Sequence, residues 1–157
     1  MRDGWGSVLV LAAFLAASFA AAAIGAAFPP GEWYQQIAKP DWTPPPWLFG
    51  PVWTVLYVLI GVSGWWIFKH AAPPWRGRLL ALWAAQMVFN AAWSWLFFGL
   101  RSPGLALVDI AMLLALVLAL VVLSWPRLRP VSWMLLPYAL WIGFASVLNA
   151  SIWWLNR

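Results

Sequence analysis

The chain has 157 residues, of which 65% are hydrophobic and 8% charged, and it carries a net charge of +5. An ordinary globular domain has roughly 25% charged residues, so this composition excludes a fold whose whole surface faces water. The basic residues stand singly or in pairs between apolar runs, which reads as loop charge setting topology and not as a nucleic-acid surface; the absence of cysteine excludes disulfide and thiolate chemistry.

A membrane-crossing helix needs roughly 20 predominantly apolar residues. Five runs qualify, which predicts an all-α membrane protein, a five-transmembrane-helix bundle forming a single domain over 1–157. The first run, about 6–28, is closed by Pro29-Pro30-Gly31. Arg2 and the small residues Ala21 to Ala23 also suit a secretory signal, but the apolar stretch exceeds the roughly 7–15 residues of a signal core, so it reads as a retained span. The loop 29–46 holds Trp33, Tyr34, Trp42 and a run of prolines, and is longer than a plain helix connection. It is a candidate lid with Trp33 and Trp42 folded inward; the alternative is a loop lying on the lipid headgroups. The later spans cover about 47–68, 79–100, 104–125 and 131–155, with prolines at nearly every boundary, where a missing backbone N–H does least harm. Alternating span directions put Arg2, Lys69, Arg76, Arg78, Arg127 and Arg129 on one side and Lys39, Arg101 and Arg157 on the other. That bias places the amino terminus in the cytoplasm.

Of the 16 tryptophans, many fall at span ends, where amphipathic rings favour the interface. Trp53, Trp93 and Trp141 do not. Gln86, Asn90, Trp93 and Phe97 recur at helical steps on the third span, as do Tyr138, Trp141, Ala145 and Asn149 on the fifth. Trp53 and Tyr57 lie one turn apart on the second. An amide facing lipid would leave its hydrogen-bonding groups unmet, so these stripes should face inward. They describe an apolar pocket for a flat ligand with sparse polar anchors, or amides that only bond helix to helix. Small residues, Ala81, Ala84, Ala85, Ala91 and Ala92 on the third span and Ala22 and Ala26 on the first, suit close helix association, and a homodimer is expected.

Conventional catalytic groups are scarce. Asp3, Glu32 and Asp41 fall outside the spans, and His70 stands alone at a span end, so neither a carboxylate pair nor a metal site is expected. Asp109 lies within the fourth span. It is either a packing and topology residue near the Pro103 boundary or a proton-coupled group.

Several segments together resemble the TspO/MBR family, tryptophan-rich sensory proteins that include the mitochondrial translocator protein. They are Trp33…Lys39-Pro40-Asp41-Trp42-Thr43-Pro44-Pro45, Pro51-Val52-Trp53-Thr54-Val55-Leu56-Tyr57, Gln86…Asn90-Ala91-Ala92-Trp93-Ser94…Phe97-Phe98 and Pro137-Tyr138…Trp141…Leu148-Asn149. The resemblance implies a bundle, often dimeric, that binds porphyrins such as protoporphyrin IX as ligand, with no covalently bound cofactor. Family pocket positions match Trp33, Trp53, Tyr57, Gln86, Phe89, Asn90, Trp93, Phe97, Trp141, Ala145 and Asn149. No catalytic residue is assigned. Two alternatives stay open: a light- and oxygen-dependent porphyrin-degrading enzyme acting through pocket tryptophans, and a small-solute transporter using Asp109. Lys39, the one cation of the first loop, is a candidate for the acidic end of the ligand. Asn149 is followed by Ala150-Ser151-Ile152-Trp153, so the cholesterol motif of animal members is broken here. The expected setting is a multi-pass protein of a bacterial cell membrane, with the outer membrane left open.

Overall fold

The computed structural model describes residues 2–157, with side chains from Trp5 onward; the side chains of Arg2, used in the charge reading, and of Asp3, counted among the acids, lie outside the described residues. The order is α1 (Arg2–Ala26), α2 (Glu32–Gln36), α3 (Pro46–His70), α4 (Pro73–Ser94), α5 (Pro103–Ser124) and α6 (Arg129–Leu155), and α4 runs on through a π-helical turn over Trp95–Gly99. Every helix except α2 is long and apolar enough to cross a bilayer, which makes this a five-span integral membrane protein. The expected third span began at residue 79, yet α4 begins at Pro73. Pro73 and Pro74 occupy the first turn, where an N–H has no intrahelical partner to lose, and Ala72 before them is extended. Trp75-Arg76-Gly77-Arg78 is therefore helical although its polarity hides it from a hydropathy reading.

The spans close into a ring in the order α1, α3, α6, α5, α4, with α4 returning to α1 and also touching α3. Two glycines of α3 set the closeness of α1. A Cβ on Gly61 would meet the Leu15 backbone at 3.0 Å, and one on Gly64 would stand 2.6 Å from Phe14 and 2.7 Å from Trp83. Such close backbone approach is how helices associate where water supplies no hydrophobic drive. Ala81 and Ala84 stay on the outer face of α4.

The core runs along the ring axis and includes Ile60, Ile67, Leu79, Val117, Leu120, Val131, Leu135 and Ile142. Large apolar side chains such as Leu9, Val88, Val108, Val122 and Leu140 are exposed instead, as expected when the surrounding solvent is lipid. The half of the bundle toward the first loop differs in character. There the core gives way to amides and aromatic rings.

Candidate functional site

Three spans meet through one buried chain of side-chain hydrogen bonds. The Tyr57 hydroxyl donates to Asn90 Oδ1 at 2.7 Å, and Asn90 Nδ2 donates to the Tyr138 oxygen at 2.8 Å. Tyr138 in turn donates to Gln86 Oε1 at 2.9 Å, and Gln86 Nε2 donates to the Trp83 carbonyl at 3.0 Å. All four of these polar side chains are buried. Neighbouring bonds extend the floor: Ser18 Oγ to the Tyr57 carbonyl at 2.6 Å, and Trp83 Nε1 to the Ile60 carbonyl at 2.9 Å. Leaving one such group unpaired would cost about 1–3 kcal/mol, so the inward placement of Gln86 and Asn90 follows from their chemistry.

Toward the loop, rings replace amides. Trp53 stacks on Tyr57 at 5.3 Å and meets the edge of Tyr138 at 6.2 Å. Trp93 stacks on Phe97 at 4.9 Å, and its Nε1 donates to Asn149 Oδ1 at 3.0 Å. Asn149 Nδ2 donates to the Pro103 carbonyl at 2.8 Å, fixing α6 to the start of α5. Trp141 lies between Phe49 and Phe144, at 5.7 and 5.5 Å. Its Nε1 is buried with no hydrogen-bond partner among the described residues. Phe89 and Ala145 are half-buried against the same core as Trp53, Trp93 and Trp141.

The π-helical turn places one more residue than usual in the last turn of α4. Leu100 N donates to the Trp95 carbonyl at 2.8 Å, and Arg101 closes the helix with φ of 53°, a left-handed conformation that favours glycine. With the wider turn, adjacent Phe97 and Phe98 both reach α2, where Tyr34 meets them at 6.0 and 5.3 Å. Trp33 meets Phe97 at 6.0 Å and Trp42 meets Phe144 at 5.8 Å. The loop thus lies over the aromatic half with Trp33 and Trp42 turned onto it. Burial raises the Tyr34 phenol above its ordinary range, so this contact stays uncharged.

In the structure Lys39 is engaged by the loop itself. Its Nζ donates to the carbonyls of Tyr34, Ile37 and Gln35 at 2.6, 2.9 and 3.3 Å and sits 4.9 Å from the Tyr34 ring centre. All three ammonium protons are spent closing the end of α2. The loop has a second tie that the sequence reading missed. Ala38 N donates to Asn156 Oδ1 at 3.0 Å, and Asn156 Nδ2 donates to the Ala38 carbonyl at 2.9 Å. Asn156 falls two turns beyond Asn149 on one helical stripe, and that spacing was the available signal. Tyr138, noted on its stripe but absent from the matched positions, is the node of the polar floor.

His70 lies at the opposite end of α3, exposed, stacked on Trp66 at 4.4 Å. No group of three or more His, Cys, Asp or Glu that would hold a metal occurs among the described residues. Asp109 is buried, and its Oδ2 has no hydrogen-bond partner among the described residues.

The TspO/MBR family model matches residues 7–155 of this chain. Among relatives, the chain is 37% identical to Protein CrtK of Rhodobacter capsulatus, covering 96% of this chain and 94% of the relative. It is 38% identical to tryptophan-rich protein TspO of Chlorobaculum tepidum, covering 95% and 97%, and 35% identical to the human translocator protein, covering 83% and 80%.

Proposed function

Since the chain belongs to the TspO/MBR family, we propose that its aromatic half binds a flat tetrapyrrole, of which protoporphyrin IX is the type, and that the protein serves as a membrane sensor or carrier for it. The observation that carries this reading is the convergence of Trp53, Trp93 and Trp141, from three different spans, on one core beneath a ring-lined loop. Indole faces suit a large planar π-system, and pockets of this kind are apolar with few polar anchors. Trp141 Nε1 is one such anchor, a buried donor with no acceptor among the described residues. The rings now pack on one another, so a ligand would replace ring–ring contacts by ring–porphyrin contacts. The chain's one histidine lies at the far end, which favours binding by shape over binding through a metal.

The test is a fluorescence-quenching titration with protoporphyrin IX, run in the dark and without oxygen. Losing one ring removes stacking worth about 0.5–1.5 kcal/mol beyond simple burial. Trp141→Ala should therefore weaken binding several-fold, while Trp154→Ala, whose ring is exposed on the outer face, should leave it unchanged. Equal effects of the two would remove the site from the inner half. Illuminating the complex in air then separates roles: protein-dependent bleaching of the porphyrin would mark an enzyme, and an unchanged spectrum a binder.

A further inference from the structure

The end of the bundle away from the first loop carries a feature unrelated to the aromatic half. Trp75, in the first turn of α4, is half-buried against the core. Two guanidinium groups lie on its ring: Arg127, from the turn between α5 and α6, at 3.5 Å, and Arg78, three residues along α4, at 5.4 Å from the ring centre. The two charges therefore stand within about 9 Å of each other, close to the screening length of about 8 Å at physiological salt. Neighbouring Arg76 and Arg129 carry the same sign. The acids among the residues with described side chains do not offset them, because Glu32 and Asp41 belong to the first loop and Asp109 to the α5 half nearest that loop.

Part of this charge has a structural use. Arg76 donates to the Ala71 carbonyl at 3.0 and 3.2 Å, and Arg127 gives one N–H to the Leu123 carbonyl at 3.0 Å. The other donors of Arg127 and those of Arg78 meet no acceptor among the described residues, and each guanidinium lies over the indole. A guanidinium set over a ring face keeps N–H donors of its fork available, and that fork matches phosphate oxygens two at a time. The cluster also sits where lipid headgroups lie. Trp75 opens a span, and the exposed Trp125 and Trp133, 5.4 Å apart, mark the same boundary just past α5 and at the start of α6.

We propose that Trp75, Arg78 and Arg127 form a headgroup site for an anionic phospholipid, its phosphate diester held by the two guanidiniums and its acyl chains lying along the outer faces of the helices. Basic pockets between spans suit such headgroups. This inference stands apart from the tetrapyrrole reading, because the site lies at the other end of the molecule.

The experiment takes the full chain, purified in neutral detergent, and measures its melting temperature with short-chain phosphatidylglycerol, short-chain phosphatidylcholine or inorganic phosphate. Phosphatidylglycerol should raise the melting temperature by several degrees and the other two should not. Native mass spectrometry provides the second reading, which does not depend on the stability of the variants. Retention of one phosphatidylglycerol should fall several-fold in Arg78→Gln/Arg127→Gln and stay unchanged in Arg101→Gln/Arg157→Gln, which removes equal charge at the other end. Equal stabilisation by phosphatidylcholine, a shift reproduced by inorganic phosphate, or full lipid retention by the Arg78/Arg127 variant would each overturn the proposal.

Discussion

The inner aromatic half has a floor and a roof built on different principles. In the floor, Tyr57, Asn90, Tyr138 and Gln86 bind three spans in an unbroken sequence of donors and acceptors. In the roof, α2 and its flanking loop rest on ring edges at about 5–6 Å, with a few exposed hydrogen bonds at the margin. Lipid offers no replacement partner for a freed amide, whereas a displaced ring edge loses only a fraction of its contact energy. The floor is thereby costlier to open than the roof, and a tetrapyrrole bound as proposed would enter past the roof.

The largest effect should come from breaking the floor at its centre. Asn90 serves both tyrosine hydroxyls, so Asn90→Ala breaks two buried bonds at once: the Tyr57 hydroxyl loses its acceptor, and the Tyr138 hydroxyl keeps only its bond to Gln86. Each unpaired group costs about 1–3 kcal/mol. Tyr57→Phe leaves Asn90 Oδ1 without its donor but breaks one bond where Asn90→Ala breaks two, so it should cost less. Melting of the detergent-solubilised protein, followed by circular dichroism, should rank Asn90→Ala well below Tyr57→Phe and wild type. Equal melting of all three would mean that the buried sequence adds nothing beyond packing.

Much of the floor was legible in the sequence. Gln86, Asn90 and Asn149 are amides in otherwise apolar spans, and the cost of exposing them to lipid fixes the face they turn inward. The span count was legible for the same reason, since 20-residue apolar runs have few other uses. What escaped depends on partners that no local pattern names. The π-helical turn at Trp95–Gly99 leaves no mark in residue spacing, so the approach of Phe98 and Tyr34 was not foreseen. Lys39 was assigned from its charge alone, whereas its protons are taken by carbonyls that the fold of α2 brings to it. Trp75 illustrates the same limit: a ring at a span end reads as an interface anchor, and only the packing of α4 beside the α5–α6 turn brings Arg127 onto it.

A middling effect should follow from freeing the roof at the Asn156 clasp. Asn156→Ala removes both bonds to Ala38 and the bond to the Ile152 carbonyl. The two bonds to Ala38 are exposed and the one to Ile152 is part-buried, so water takes over part of the loss and about 1 kcal/mol net is expected. Amide hydrogen exchange, read by mass spectrometry, should speed up about fivefold in peptides covering residues 32–42 and stay constant in those covering α4 and α6. Unchanged exchange over the loop would show that ring contacts alone hold the roof. Faster exchange throughout would show that floor and roof are not separable.

The smallest effect concerns Lys39, and its value lies in separating two roles for one charge. Lys39→Met keeps the aliphatic stem over Tyr34 and removes the ammonium that closes α2. A partly exposed charge–carbonyl contact at a helix end is worth about 0.3–1 kcal/mol. The loss should appear as slightly faster exchange around α2. If the ammonium acts only on the loop, protoporphyrin IX and its dimethyl ester should weaken by the same small factor, because the ester lacks the acid yet needs the same roof. If Lys39 leaves its carbonyls to hold a propionate, the free acid alone should weaken and the ester should bind as in wild type. The three short bonds from Nζ predict the first outcome. A ratio of the two affinities, wild type against Lys39→Met, reads the answer without requiring either absolute value.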